Sequence, residues 1–554
     1  MRRHHRRIQE NTREYFYIRN IGAYGSKVVV QEQNVNVYNG TLYYSVGNMS
    51  SWNAIQDLTA YNKINIDPNQ KVYFKGNGDS CSRVLSKVMY QLLIYLENDD
   101  KFEVGGYLSS LFQGDNFKTN NVLVNGGISA HYCENMFVGT KVVRANKLIF
   151  PENTFGFCYR AMFGNCAELD EAPVILPATT LARECYSNMF RDCPNIIEAP
   201  VLPAKHLALR CYERMFESCT NLRYIECHSL DDMTTSYCAN WLTGTSGEGV
   251  FIKDANATWN SQDASYGVPV GWTIFKGDPY ECPFYIEDRS GSAQTVWFTR
   301  TGNTDVTYES SYDQSSWSTQ TGPSVNLLPY GKTYIRLKTG TQGTFPYRFS
   351  SSDENFAIGG SLLSLLTRDF ATVKHDYAGM SDNAFREVFS NCVKLVSAIG
   401  LHFINKVSTY CYCEMFNKSA LIYPPHKLPA ETLVNGCYRG MFKSCGSLVA
   451  IPKLPAKTVP THSYTEMFAD CDSLTRAKIY AETIDGDSLI GMFADCNHLE
   501  WIDAPILSAD SSHTSGFTYG VSGSGTFIKN AEATWSTTGD SGVPNGWTTV
   551  MRYV

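Results

Sequence analysis

At 554 residues the chain is longer than one hydrophobic core usually sustains, which points to several domains. Hydrophobic residues at 43% and charged residues at 18% exclude a disordered chain, and a net charge of −7 argues against broad electrostatic binding to nucleic acid or to an anionic membrane. No stretch approaches the ~20 apolar residues that a membrane helix needs, so membrane insertion is not expected.

The start, MRRHHRRIQENTREYFYIRN, carries a basic cluster (Arg2, Arg3, His4, His5, Arg6, Arg7) with no apolar run behind it, so no secretory signal is expected. Residues 1–35 find no counterpart later in the chain. They read as a basic N-terminal anchor that docks into an acidic groove on another protein, the plain alternative being a solvated tail. Residues 36–127 read as a β-rich, sandwich-like leading module, with Trp52 following Tyr43 and Tyr44 in YYSVGNMSSW.

From residue 128 to 248 a repeat takes over. Met136-Phe137, Met162-Phe163, Met189-Phe190, Met215-Phe216 and Trp241-Leu242 follow one another at steps of 26, 27, 26 and 26 residues. Residues 249–282 form a closing segment and linker containing Trp259 and Trp272 and ending near the Pro/Gly stretch Lys276–Pro283. The whole plan then recurs. A second β-rich module spans 283–378 and contains Tyr308 and Trp317; a second array spans 379–524; a closing segment with Trp535 and Trp547 spans 525–554. In the second array the pairs Val388-Phe389, Met415-Phe416, Met441-Phe442, Met467-Phe468 and Met492-Phe493 step by 27, 26, 26 and 25 residues.

The repeat frame is Cys-Tyr-x-x-Met-Phe-x-x-Cys. The offsets of Cys158, Met162, Phe163 and Cys166 suit one face of a helix, followed by an extended stretch at Leu169 and a proline-bearing return. One such unit buries too little to offset the ordering of its own backbone, so neighbours must share their faces. Cysteines eight apart on a helix are separated by about 12 Å of rise, beyond the ~7 Å a disulfide spans. They are expected as free core thiols, with inter-repeat disulfides and metal ligation as lesser readings. The closing tryptophans are expected to pin their segments. Trp52 and Trp317, at matching places in the two modules, are candidate sugar-stacking residues, the plainer reading being a sandwich core.

The pattern CYxxMFxxCxxLxxAPxLPAxxL resembles the BspA-type leucine-rich repeats of Bacteroidales surface proteins, and TFIKNAEATWSTTGDSGVPNGWT resembles the segment that ends such arrays. Similar proteins occur in phages of those bacteria, including crAss-like phages. The resemblance covers most of the chain twice. With the residue pattern it gives the expected fold: an α+β repeat of two tandem leucine-rich-repeat solenoids, each preceded by a β-rich module and closed by a short Trp-containing β segment. It implies binding or adhesion and supplies no catalytic residue.

A search for chemistry finds no phosphate loop, no His-Glu-x-x-His helix and no Gly-x-Ser-x-Gly elbow. Asp485–Asp487 reads as a solvated turn rather than a calcium loop, His206 as a surface residue, and the adjacent Asp231 and Asp232 as no glycosidase pair. No cofactor or metal is expected. The expected function is a non-enzymatic virion fibre or decoration protein. It would be attached to other virion proteins through the N-terminus and would meet a host-surface protein or glycan, with self-association left open and no nucleic-acid partner. A bacterial cell-surface adhesin is the alternative, and an enzyme on a repeat scaffold the remote one.

Overall fold

A computed structural model describes residues 14–32, 41–58, 60–76, 92–119, 121–123, 131–301, 306–374 and 377–553. The chain forms two compact units that divide between Gly277 and Asp278, inside the Pro/Gly stretch.

The first unit contains β1 (Phe16–Asn20), β2 (Ser26–Glu32), β3 (Leu42–Val46), β4 (Asn53–Ile55), β5 (Asn62–Ile66), β6 (Lys71–Lys75), β7 (Leu92–Leu96), β8 (Phe102–Tyr107), β9 (Val142–Ile149), β10 (Tyr224–Cys227), β11 (Val250–Lys253) and β12 (Thr273–Lys276). They make a six-stranded sheet in the order β4-β3-β6-β1-β8-β9, a three-stranded sheet β5-β2-β7 and a parallel closing sheet β10-β11-β12.

The second unit contains β13 (Phe284–Asp288), β14 (Gln294–Arg300), β15 (Tyr308–Ser311), β16 (Ser318–Thr319), β17 (Ser324–Leu327), β18 (Lys332–Leu337), β19 (Tyr347–Ser352), β20 (Phe356–Ser361), β21 (Leu395–His402), β22 (Thr458–Val459), β23 (Arg476–Lys478), β24 (Thr483–Ile484), β25 (Trp501–Ala504), β26 (Thr526–Asn530) and β27 (Thr548–Arg552). Its sheets β16-β15-β18-β13-β20-β21 and β17-β14-β19 repeat the first unit's topology strand for strand. A pair β22-β24 and a closing sheet β23-β25-β26-β27 complete it. Side chains alternate in and out along these strands, as in Lys332–Leu337, where Thr333, Ile335 and Leu337 are buried.

The duplicated Gly-Gly pairs have a steric cause. Gly106 and Gly360 both have φ +76, and a Cβ on either would lie 2.0 Å from the carbonyl oxygen of Tyr15 or Pro283. These sites adjoin the register shifts where β8 meets β9 and β20 meets β21 in parallel.

Two expectations are corrected. Residues 16–32 are not a segment apart. Strand β1 sits inside the large sheet between β6 and β8, and β2 pairs with β5 and β7, so the first module begins near residue 14. Its counterpart is β13–β14, which matching on the basic cluster alone could not show.

The second correction concerns fold class. The expected α+β leucine-rich-repeat solenoid is overturned: among the described residues the molecule is β-rich. The α-helices of the described residues are single turns, α1 (Ser110–Gln113), α2 (Thr235–Cys238), α3 (Phe370–Val373) and α4 (Ser511–Thr514). The Cys-Tyr-x-x-Met-Phe-x-x-Cys segment is not helical either but a ribbon of turns.

Every fourth residue of that ribbon has a left-handed backbone: Phe157, Ala161 and Asn165 at φ 63, 48 and 58, then Glu184, Asn188 and Asp192 at 53, 56 and 57. Such residues reverse the local path, so no helix propagates. Backbone donors alternate in consequence. Arg160, Met162 and Gly164 donate three residues back, to Phe157, Tyr159 and Ala161, while Tyr159, Ala161 and Phe163 donate across to Cys185, Ser187 and Met189 of the next segment. All of these amides are thereby satisfied.

The four-residue turn period, not the 3.6-residue helix, puts Cys, Met and the second Cys on one side. Cys158, Met162, Phe163 and Cys166 are fully buried, as are Cys185, Met189, Phe190 and Cys193 and Cys211, Met215, Phe216 and Cys219 in the next two segments. Phe163, Phe190 and Phe216 stack at 5.5 Å centroid spacing with rings 3° apart. Phe442 and Phe468 do the same at 5.4 Å in the second unit. One extended core in each unit joins the leading module to its turn array.

Candidate ligand-binding surfaces

The cysteines hold the array together from inside. Each described cysteine except Cys282 is buried, and all of them are free. The second cysteine of the frame donates its thiol to the carbonyl of the preceding segment's phenylalanine: Cys166 to Phe137 at 2.9 Å, Cys193 to Phe163, Cys219 to Phe190 and Cys445 to Phe416 at 3.0 Å. Thr140, at the same frame position of the first segment, donates instead to its own segment's Phe137 carbonyl at 2.8 Å. Burial pushes these thiols up, Cys166 and Cys219 to about 12 and Cys445 to about 11, so they stay protonated donors.

The closing tryptophans act as donors too. Trp259 Nε1 donates to the Ser229 carbonyl at 3.0 Å, Trp272 to Ser246 at 2.8 Å, Trp535 to Ile506 at 2.8 Å and Trp547 to Ser522 at 2.6 Å.

Trp52 and Trp317 occupy matching half-buried places, and a cation covers a ring in each. Lys75 Nζ lies 4.5 Å from the Trp52 ring centroid and 3.1 Å from Asp115, and Trp52 stands edge-on to Tyr15 at 4.8 Å. The Arg336 guanidinium lies 3.5 Å from the Trp317 centroid and is held by Glu309 at 2.6 Å, while the Trp317 indole donates to the Gln314 carbonyl. Lys75 and Arg336 are equivalent positions of β6 and β18, so this is a duplicated aromatic–cation clamp rather than an open stacking platform. Tyr308 is buried and bonds the Leu365 carbonyl at 3.1 Å; Tyr43 and Tyr44 lie on β3.

Trp297, which sequence reasoning missed, is the open one. It sits on β14, the middle strand of β17-β14-β19, with 46% of its surface exposed. Ser324 of β17 and Ser351 of β19 are its cross-strand partners. Thr295, one pleat away on the same face, donates to Asn326 at 3.0 Å, and Ser350 donates to the Trp297 carbonyl at 3.4 Å. An indole plate is thus framed by hydroxyls and an amide. The signal was legible in TVWFT: Val296 and Phe298 point inward, so alternation sends Trp297 outward between threonines. In the first unit the topologically equivalent residue, Val29, is only 2% exposed.

The basic cluster Arg2 to Arg7 lies outside the described residues. His206 is exposed and its Nδ1 is 3.0 Å from Asp231, which also accepts from Leu207 N–H at 2.7 Å. Asp231 therefore ties down the Lys205–Leu207 loop. Asp487 lies in a left-handed turn at φ 48 whose amide donates to Ser512. Among the described residues no three His, Cys, Asp or Glu side chains converge as an ion cage, and no helix is long and apolar enough to cross a membrane.

No family model, curated protein or solved structure matches the chain.

Proposed function

We propose that this chain is a non-enzymatic binding protein that recognises glycans on a host surface through the sheet face around Trp297. The carrying observation is the exposed indole on β14, flanked by Ser324, Asn326 and Thr295, a surface that offers a sugar ring both an apolar plate and hydrogen-bonding neighbours. The nucleophilic thiols sit in the cores, protonated and engaged with backbone carbonyls, which supports a scaffold role for them. The sequence resemblance to BspA-like proteins of Bacteroidales and their phages supports placement on a virion surface, with Arg2, Arg3, Arg6 and Arg7 as attachment residues.

The test is retention of the full chain on immobilised neutral polysaccharides other than dextran, wild type against Trp297→Ala. Covering about 60 Å² of indole face at ~25 cal/mol/Å² contributes ~1.5 kcal/mol, about tenfold in Kd. A Trp297→Ala protein that keeps its fold and loses about tenfold in retention supports the reading. Equal retention of both proteins, or retention of neither on any polysaccharide, overturns it.

A further inference from the structure

The outer face of the first turn array carries a cavity of about 660 Å³. Its lining comes from the x positions of the frame, joined by Glu184 and Arg210 from the position just before the first cysteine. Arg160, Arg191, Arg210 and Arg214 reach it from three successive segments, with Glu134, Glu184 and Glu213 between them.

Two of those carboxylates are built into the wall. The Glu134 and Glu184 side chains are only 2% and 7% exposed, and Arg160 bridges them at 3.9 and 3.6 Å. Arg183 also holds Glu184, at 3.1 Å. Arg191 is engaged by Glu217 at 3.0 Å, while Arg214 approaches the same carboxylate only at 3.9 Å. Arg210 is exposed and makes no ion pair among the described residues. Arg160, Arg210 and Arg214 therefore keep guanidinium donors for something else. Left-handed backbones at Asn135, Ala161, Asn165 and Asn188 shape the floor and set amide side chains along it.

We infer that this cavity binds an acidic polysaccharide. Guanidinium forks match carboxylate and sulfate groups in two-point geometry. The interleaved glutamates, Glu213 foremost because Glu134 and Glu184 are already held by arginines, accept hydroxyl donors, which sugars supply at every residue. The same glutamates disfavour a nucleic-acid backbone, which places a charge every ~1.7 Å of duplex and would meet them repeatedly. The second array supplies an internal comparison: by position in the frame, Glu387, Glu414 and Glu466 stand where the first has Asn135, Ala161 and Arg214. The two arrays have thus diverged in charge on the same face while keeping one core. This site uses different residues from the Trp297 face and stands or falls apart from it.

The experiment is retention of the full chain on immobilised polygalacturonate and chondroitin sulfate, with dextran as the neutral control and a duplex DNA column as the competing anion. The variants are Arg210→Ala/Arg214→Glu, Trp297→Ala and, as a second-array control, Glu466→Ala. Expected is retention on at least one acidic polysaccharide that falls with salt, drops roughly 100-fold in the double variant at about tenfold per lost charge-assisted contact, and is unchanged in the other two. Four results overturn the inference: no retention on either acidic polysaccharide, equal retention on dextran, a double variant that binds like wild type with its fold intact, or tighter arginine-dependent retention on DNA.

Discussion

Ala161 separates a turn ribbon from a helix by the sign of a single free-energy change. It sits in the middle of the second frame with φ 48, its amide donating to Ser187 at 2.8 Å and its carbonyl accepting from Gly164 at 3.0 Å. In a helix Ala161→Gly would cost about 1 kcal/mol. In the left-handed region the Cβ of alanine costs ~1–2 kcal/mol that glycine escapes. Against this stand ~0.5–1 kcal/mol for the freer unfolded glycine chain and a few tenths for one half-buried methyl. The substitution should therefore be neutral or stabilising by up to about 1 kcal/mol. The chain already contains the replacement, since Gly440 and Gly491 occupy the same frame position at φ +57. The assay is urea unfolding of the full chain followed by tryptophan fluorescence, in which only the first unit's transition should move, and upward or not at all. A midpoint shift equivalent to a loss near 1 kcal/mol would refute the turn geometry.

Cys219→Ser should cost under about 1 kcal/mol because it keeps a donor aimed at the Phe190 carbonyl, whereas Cys219→Ala loses both the bond and the sulfur's contacts and should cost about 1–2 kcal/mol; a larger loss for serine in the same unfolding assay would remove the donor role. Acid should loosen the second unit as Asp288 takes up a proton. Asp288 is buried, which opposes ionisation, but hydrogen bonds from Tyr330 and Ser290 outweigh that and hold it at about 2. With the folded value depressed, its contribution is present above the ordinary carboxylate value near 4 and is lost as pH falls towards 2. The first unit ends β1 on neutral Asn20, which makes similar turn contacts to Tyr24 and Gly22, so Asp288→Asn should flatten the second unit's acid transition and leave the first unit's unchanged. Deleting residues 1–12 should leave both units folded by circular dichroism and unfolding profile, while deleting 1–35 removes β1 from between β6 and β8 and should unfold the first module; equal stability of the two truncations would contradict the sheet order.

Much was legible where one side-chain property decides the outcome. The Met-Phe interval and the cysteines located the interior, because burial of sulfur and aromatic groups depends on recurrence and not on backbone type. What failed was the inference from offsets to conformation. Spacings of 0, +4, +5 and +8 satisfy a 3.6-residue helix within tolerance, but the offsets 0, +4 and +8 of Cys158, Met162 and Cys166 fit a four-residue turn period without drift. The signal that separates the two lay in the variable positions, where Asn135, Asn165, Asn188, Gly139, Gly244, Gly440 and Gly491 recur at every fourth residue of the frame. Asparagine and glycine tolerate left-handed backbone and disfavour helix interiors. Trp52 and Trp317 drew attention because they matched between halves, yet a feature kept in both copies is what a shared structural clamp requires, and Lys75 and Arg336 are that clamp.

The converse holds for recognition. Two copies of one architecture must keep what folds them and are free to differ in what they bind. The differences fall at Trp297 against Val29 on the outer sheet and at Arg214 against Glu466 on the array face. Both pairs lie away from the stacked phenylalanines: on the same backbone path Trp297 is exposed where Val29 is buried, and Arg214 stands where the second array has a glutamate. Exchanging Arg214 for the second unit's glutamate therefore changes what the face attracts without touching a core contact, whereas exchanging Phe190 for alanine should cost about 3–5 kcal/mol and take the array with it. Divergence on a preserved ladder fits the binding scaffold proposed above, and on that proposal specificity lies on the array face rather than in the cysteines.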